Sequence, residues 1–186
     1  MRLILASGSA TRKKAMDALG MDYEVIPSTI DEKSIRHNDP KEQVTAIAEA
    51  KAREVGQRNP GSLVVAGDLF VVFNGKIYEK PSTVEQARAN LLSFSGNRVT
   101  MLVALAVYNT DTNKMLTSLD VTFIDFRELT EREIDDYVST RPVTTYAAGF
   151  GPDGAQMFSK SMDSEMFVTA LPISKLKEFL RTNGLS

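Results

Sequence analysis

The spacing of apolar residues along the 186-residue chain shifts between continuous runs, strict alternation and helical stripes, and each shift predicts an element. Leu3-Ile4-Leu5-Ala6 reads as a short buried strand that enters the loop Ser7-Gly8-Ser9. A helix over roughly 10–19 follows and is stopped by Gly20. Asp39 followed by Pro40 opens a long helix to about Gln57, with the apolar stripe Val44, Ile47, Ala48, Ala52 and Val55. The unbroken apolar run 62–66 predicts a strand covered on both faces and ending at Gly67-Asp68. Val71-Val72-Phe73 and Ile77-Tyr78 flank Asn74-Gly75, the pattern of a two-residue hairpin. Pro81-Ser82 leads into a helix over 84–94, and two long strands near 98–109 and 115–126 are joined through Thr110-Asp111-Thr112-Asn113. Thr130 with Glu133 forms a capping box for a helix to about Ser139. The stretch 149–154 reads as loop, and a helix over about 172–182 closes the chain. Helices and strands interleave, so the expected class is α/β with a mixed sheet.

Composition narrows the chemistry. With 42% apolar residues the chain can bury a sizeable core, as one domain or two tightly joined lobes. Its 22 basic and 24 acidic residues leave a net charge of -2, which argues against a nucleic-acid partner. The absence of cysteine excludes disulfides, thiolate metal sites and a cysteine nucleophile. The lone His37 cannot build a histidine metal cluster, so a metal held by this chain takes oxygen ligands, which points to Mg²⁺ or Mn²⁺. The apolar run at 3–6 is too short for a signal peptide, and no stretch approaches the ~20 apolar residues of a membrane span. A cytoplasmic protein with no membrane partner is expected.

Candidate chemistry starts at the strand–loop–helix unit 3–19. Small residues at a helix start present free N–H groups to an anion, Ser7 and Ser9 add hydroxyls, and Arg12, Lys13 and Lys14 add charge; an ordinary basic surface patch reads the same way. Lys51 falls four residues after Ile47 and four before Val55, in the middle of the apolar stripe. It is either paired and turned towards a cleft or snorkels past the edge of the core. If it faces a triphosphate, Lys51→Met is expected to cost activity and leave stability equal or higher, because a buried charge gives way to an apolar chain of similar length. Asp68 is placed at a strand's carboxyl end, where α/β proteins gather ligands; it either holds a metal and activates water or caps the turn at Gly67. Glu32 and Lys80 are unremarkable one at a time. Two carboxylates, two or three cations and a loop of backbone donors together make up the set that phosphoryl chemistry needs.

The order of these motifs resembles the Maf (septum formation inhibitor-like) nucleotide pyrophosphatases. The likeness begins at Leu5-Ala6-Ser7-Gly8-Ser9-x-x-Arg12 and continues through Ile30-Asp31-Glu32, Ala50-Lys51-Ala52, Gly67-Asp68, Glu79-Lys80-Pro81 and Ser95-Gly96. Val121-Thr122-Phe123, Leu129-Thr130, Ala148-Gly149 and Leu171-Pro172 extend it over nearly the whole chain, as one domain spanning 1–186. The resemblance implies an elongated mixed sheet flanked by helices, with two lobes around a central cleft, commonly as a homodimer. It implies hydrolysis of a nucleoside triphosphate to monophosphate and pyrophosphate with a divalent cation, a house-cleaning reaction of nucleotide pools. Carried over motif by motif, Asp68 is the proton acceptor and a metal ligand with Glu32, while Ser7, Arg12, Lys51 and Lys80 hold the phosphates.

The positions that read the base depart from the family. Thr11, Leu69 and Asp153 stand where the 7-methyl-GTP branch resembles Trp, Gln and Glu. Asp68-Leu69 and Gly151-Pro152-Asp153-Gly154 replace the Asp-Thr and Gly-Ile-Gln-Gly of the pyrimidine branch. Val168-Thr169-Ala170-Leu171-Pro172 replaces a more usual Val-Val-Gly-Leu-Pro. Two other functions fit the same residues: an inosine/xanthosine triphosphate pyrophosphatase of related architecture, and a nucleotide-binding regulator of cell division with little turnover.

Overall fold

In a computed structural model, residues 1–162 and 170–185 are described; Val168 and Thr169 of the last motif lie outside them. The chain packs into two units. The first holds Met1–Asp68, Val103–Asp120 and residues 170–185, and the second holds Leu69–Leu102 and residues 121–162.

In the first unit, β1 (Arg2–Leu5) pairs in parallel with β2 (Glu24–Val25) and with β3 (Ser62–Phe73), Leu3 opposite Leu63 and Leu5 opposite Val65. Both faces of β1 and β3 are covered here, and for that reason Ile4-Leu5 and 63–66 are apolar without alternation. α1 (Ala10–Asp17) follows β1, and Ser9 caps it by accepting from the Arg12 N–H. α2 (Pro40–Gln57) has the expected start: the Asp39 carboxylate accepts from the Lys41 N–H at 2.8 Å, and Pro40 fills the first turn, where its missing N–H costs nothing. Its stripe Val44, Ile47, Ala48, Ala52 and Val55 is buried. The last described helix, α6 (Ile173–Thr182), adds Leu176 and Leu180 to a core of Leu5, Met16, Leu63 and Leu105.

The second unit is built around Phe94 at the end of α3 (Val84–Phe94). Phe73 meets its ring edge-on at 5.5 Å between centroids, and Phe126 and Phe150 complete an aromatic cluster. β3 and β4 (Lys76–Tyr78) form the expected hairpin, with Asn74 (φ 49) and Gly75 (φ 73) both left-handed, as this turn requires. β5 (Arg98–Asn109) and β6 (Lys114–Phe126) match the two predicted long strands, and α4 (Glu131–Thr140) carries the Thr130–Glu133 capping box. Among the described residues the sheet has seven strands in the order β2-β1-β3-β5-β6-β7, with β4 beside β3. Parallel and antiparallel pairs coexist, so the mixed α/β class holds.

Two expectations need correction. β3 does not end at Gly67-Asp68 but runs on to Phe73, because its far half finds new partners in β4, Val71 opposite Tyr78. The stretch read as loop around 149–154 leads into a short helix, α5 (Pro152–Phe158), and then β7 (Ser159–Met162), antiparallel to β6. Among the described residues no helix is long and apolar enough to cross a membrane.

Candidate active site

Asp68 lies in the middle of β3, yet its surroundings remain those of a strand end. β1 stops pairing at Leu5–Val65, so the neighbouring chain turns away into the Ser7 loop three residues before Asp68 is reached. The carboxylate is thus beside the carboxyl end of a parallel strand, the usual ligand position of such sheets. It is 8% exposed, as are Ser7, Arg12 and Lys51.

Lys51 is paired. Its Nζ donates to Asp68 Oδ1 at 2.8 Å and lies 2.8 Å from Glu32 Oε1. The mid-stripe position on α2 delivers the ammonium to the inside, and the two carboxylates offset its desolvation. Glu32 arrives on a 3-10 turn, Glu32–Ser34, fixed by the Asp31 carboxylate accepting from the Lys33 N–H at 3.1 Å. Its side chain is half exposed, so the cluster has a buried end at Asp68 and an open end at Glu32.

Ser7 and Arg12 form a second group in the same unit. Ser7 Oγ accepts from the Ser9 N–H at 3.2 Å and from Arg12 Nη1 at 3.2 Å. Both lone pairs are engaged, so its own O–H is left to donate elsewhere. Arg12 Nε donates to the Ala170 carbonyl at 3.3 Å. Ala170 has φ 49, a left-handed conformation that costs a non-glycine residue about 1–2 kcal/mol.

Burial governs the electrostatics. It pushes the Asp68 carboxyl above the ordinary aspartate value, against the pull of Lys51 and Arg12, and Glu32 adds to the rise. It lowers the Arg12 guanidinium, which the fields of Asp68 and Glu32 oppose. Asp68 is therefore a stronger base than a solvated aspartate, while its neighbours keep a negative charge tolerable there.

Thr11 is half-buried on α1, and Lys13 and Lys14 are exposed. Lys80, Leu69 and Asp153 belong to the second unit. Lys80 is exposed on the segment between β4 and α3, whose backbone is pinned by the Ala148 N–H donating to the Glu79 carbonyl at 3.0 Å. Leu69 packs against the aromatic core. Asp153 sits in the first turn of α5, and its Oδ2 accepts from Arg141 Nε at 2.7 Å. Partial burial pushes the Asp153 carboxyl up, but the Arg141 hydrogen bond and charge and the backbone N–H groups of Gly154 and Asp153 together outweigh it and hold it below the usual range.

Sequence reasoning missed Gly67, Ala170 and the α5 turn. A Cβ on Gly67 would meet the Ala104 carbonyl oxygen at 3.0 Å and Arg12 Nε at 3.3 Å. A Cβ on Gly154 would strike the Tyr137 hydroxyl, which accepts from the Gly151 N–H at 3.1 Å. The signal for Ala170 was available, since a position that usually holds Gly implies a left-handed backbone.

A mixed α/β sheet with a buried carboxylate, a lysine and an arginine just beyond a parallel strand end defines an α/β protein with an anion- and cation-ready site. The family model described as Maf-like protein matches residues 2–183, and the chain belongs to that family. It is 35% identical to the 7-methyl-GTP pyrophosphatase of Idiomarina loihiensis over 99% of this chain and 96% of that protein. It is 33% identical to the dTTP/UTP pyrophosphatase of Bacillus pumilus over 100% of this chain and 98% of that one. Among solved structures, a HAM1 protein from Coxiella burnetii superposes with a TM-score of 0.56 at 14% identity, covering 98% of this chain and 99% of that one, a likeness of fold.

Proposed function

We propose that this protein is a nucleoside triphosphate pyrophosphatase that releases pyrophosphate and leaves the monophosphate, acting on free nucleotides in the cytoplasm. The observation that carries the reading is the shared ammonium: Lys51 Nζ lies 2.8 Å from both Asp68 and Glu32, with Arg12 buried in the same unit. Its curated relatives named above carry pyrophosphatase names for two different nucleotide classes, at identities of 35% and 33%. That supports the reaction and leaves the base open.

A divalent cation fits the donor set. Oxygens of Glu32 and Asp68 already converge on one positive centre, and hard carboxylates suit Mg²⁺ or Mn²⁺. Among the described residues no three His, Cys, Asp or Glu side chains gather. Glu32 and Asp68 would therefore hold the ion together with phosphate and water oxygens, as is usual for Mg²⁺. When bound, the ion would neutralise charge on the phosphates and on the leaving group.

The chain's own groups supply the rest. Asp68 takes a proton from water as its oxygen attacks the α-phosphorus, the bond from that phosphorus to the bridging oxygen breaks, and pyrophosphate departs. Arg12, Lys51 and the free O–H of Ser7 bind phosphate oxygens, and Lys51 exchanges carboxylate partners for phosphate as the substrate arrives. From the resemblance, Lys80 is a further phosphate ligand, and Thr11, Leu69 and Asp153 contact the nucleoside. The division-regulator reading gains no support from the curated relatives, whose names are those of pyrophosphatases.

A panel of canonical and modified triphosphates, assayed with Mg²⁺ or Mn²⁺ for pyrophosphate release, tests the proposal. Release from at least one base class is expected. Binding of triphosphates with no pyrophosphate from any of them would overturn it in favour of a regulator.

A further inference from the structure

Gly67 and Ala170 bring no side-chain chemistry, yet both bear on Arg12: Ala170 accepts from it through its carbonyl, and a Cβ on Gly67 would crowd it. Arg12 is 8% exposed, and among the described residues no carboxylate hydrogen-bonds to its guanidinium. Neutral acceptors hold it instead: the Ala170 carbonyl takes Nε at 3.3 Å and Ser7 Oγ takes Nη1 at 3.2 Å. A guanidinium has five N–H donors in a fixed plane. Anchoring Nε and one hydrogen of Nη1 fixes that plane and leaves the other donors aimed as a set.

The anchor is made by strain and by a missing side chain. Residue 170 points its carbonyl at Nε from a left-handed backbone (φ 49), although it is an alanine. Strained conformations persist where surrounding structure enforces them, and they concentrate at functional sites. On the other side, a Cβ on Gly67 would lie 3.3 Å from the same Nε, 3.0 Å from the Ala104 carbonyl oxygen and 2.8 Å from Leu171 Cδ2. Leu171 follows Ala170 directly, so bulk at position 67 would press on the guanidinium and on the segment that anchors it.

We infer that Gly67 and Ala170 are positioning residues: with Ser7 they form a socket that seats Arg12 and pre-aims its free donors at the phosphates of a triphosphate. The inference rests on the phosphate-binding reading of Arg12 and adds the device that sets its geometry. The competing view makes both positions plain scaffold, important for packing and indifferent to Arg12.

The test is a set of double-mutant cycles. Ala170→Val, which disfavours the left-handed backbone, and Gly67→Ala are each made in the native and the Arg12→Met backgrounds; Ala170→Gly, which keeps that backbone, is the conservative control. Two readouts are taken: kcat and KM for triphosphate hydrolysis, and the Kd of α,β-methylene guanosine and thymidine triphosphates with Mg²⁺. The second does not depend on turnover, so it separates failure of the socket from failure of the pyrophosphatase reading. In the native background Ala170→Val and Gly67→Ala are expected to weaken analogue binding roughly tenfold or more, the scale of losing well-aimed hydrogen bonds to a charged group. In the Arg12→Met background the same changes should shift Kd by less than about twofold, and Ala170→Gly should keep native binding. The inference is overturned by equal losses in both backgrounds, by native Kd values in well-folded variants, or by an Arg12→Met protein that binds the analogues normally. It is also overturned if neither Ala170→Val nor Gly67→Ala folds, because both positions would then be scaffold.

Discussion

Lys51→Met reverses what the apolar stripe alone leads one to expect. An unpaired lysine in a core is a burden, and its removal leaves stability equal or better. Here the ammonium is hydrogen-bonded to a carboxylate that is itself 8% exposed. Methionine fills much of the same volume but strands Asp68. Breaking a buried pair by removing one partner costs about 3–5 kcal/mol. The half-exposed Glu32 arm adds about 0–1 kcal/mol at most, and Arg12 still favours the Asp68 charge, so the lower end applies, about 3 kcal/mol. For a chain of this size that is roughly 6–12 °C in Tm. Asp68 can reduce the loss by keeping a proton. Its folded-state value is already raised by burial, and losing Lys51 raises it further. Such a group contributes stability that is fully present below the unfolded value of about 3.9 and is lost as pH rises through the folded one. The deficit of Lys51→Met should therefore be small in acid and largest at pH 7–8. Thermal melts of both proteins between pH 5 and pH 8 measure it. Equal or higher stability of the variant at pH 8 would refute the paired-lysine account.

Other expectations follow from the same geometry. Asp68→Asn should lower kcat by ~10²-fold or more, as loss of a general base does, while the protein stays folded, because the amide oxygen can still accept from Lys51; near-native turnover in a folded variant removes Asp68 from the mechanism. Chelation should abolish activity and added Mg²⁺ or Mn²⁺ should restore it, whereas full activity in excess chelator rules out the cation. Asp153 stays ionised and has one oxygen free of Arg141, so it should favour the N–H donors of a guanine edge over the mixed edge of thymine or uracil. Guanine triphosphates should lead dTTP and UTP by about tenfold in kcat/KM, and Asp153→Gln should narrow the gap; a tenfold preference for dTTP or UTP sinks this.

What could be read from the sequence was what local chemistry specifies. α2 is announced by Asp39-Pro40, the β3–β4 turn by Asn74-Gly75 and α4 by its capping box, each within a few residues. The extension of β3 to Phe73 depends on β4 and could not be read from the apolar run that stops at Ala66. α5 and β7 were hidden because Pro152 and the glycines around it resemble loop punctuation, while the packing of Gly154 against Tyr137 is tertiary. In the site, the stripe position of Lys51 was legible. That its ammonium is shared between Asp68 and Glu32 was not, since the partners come from separate elements. The Ala170 carbonyl on Arg12 is a backbone group, invisible to any reading of side-chain types.

In the proposed reaction water attacks the α-phosphorus and pyrophosphate leaves intact. Hydrolysis of a preferred triphosphate in ¹⁸O-labelled water, with products resolved by mass spectrometry, tests it most directly. Monophosphate carrying one ¹⁸O and unlabelled pyrophosphate are expected in equal amounts. Label in the pyrophosphate, or diphosphate and orthophosphate as products, would contradict it.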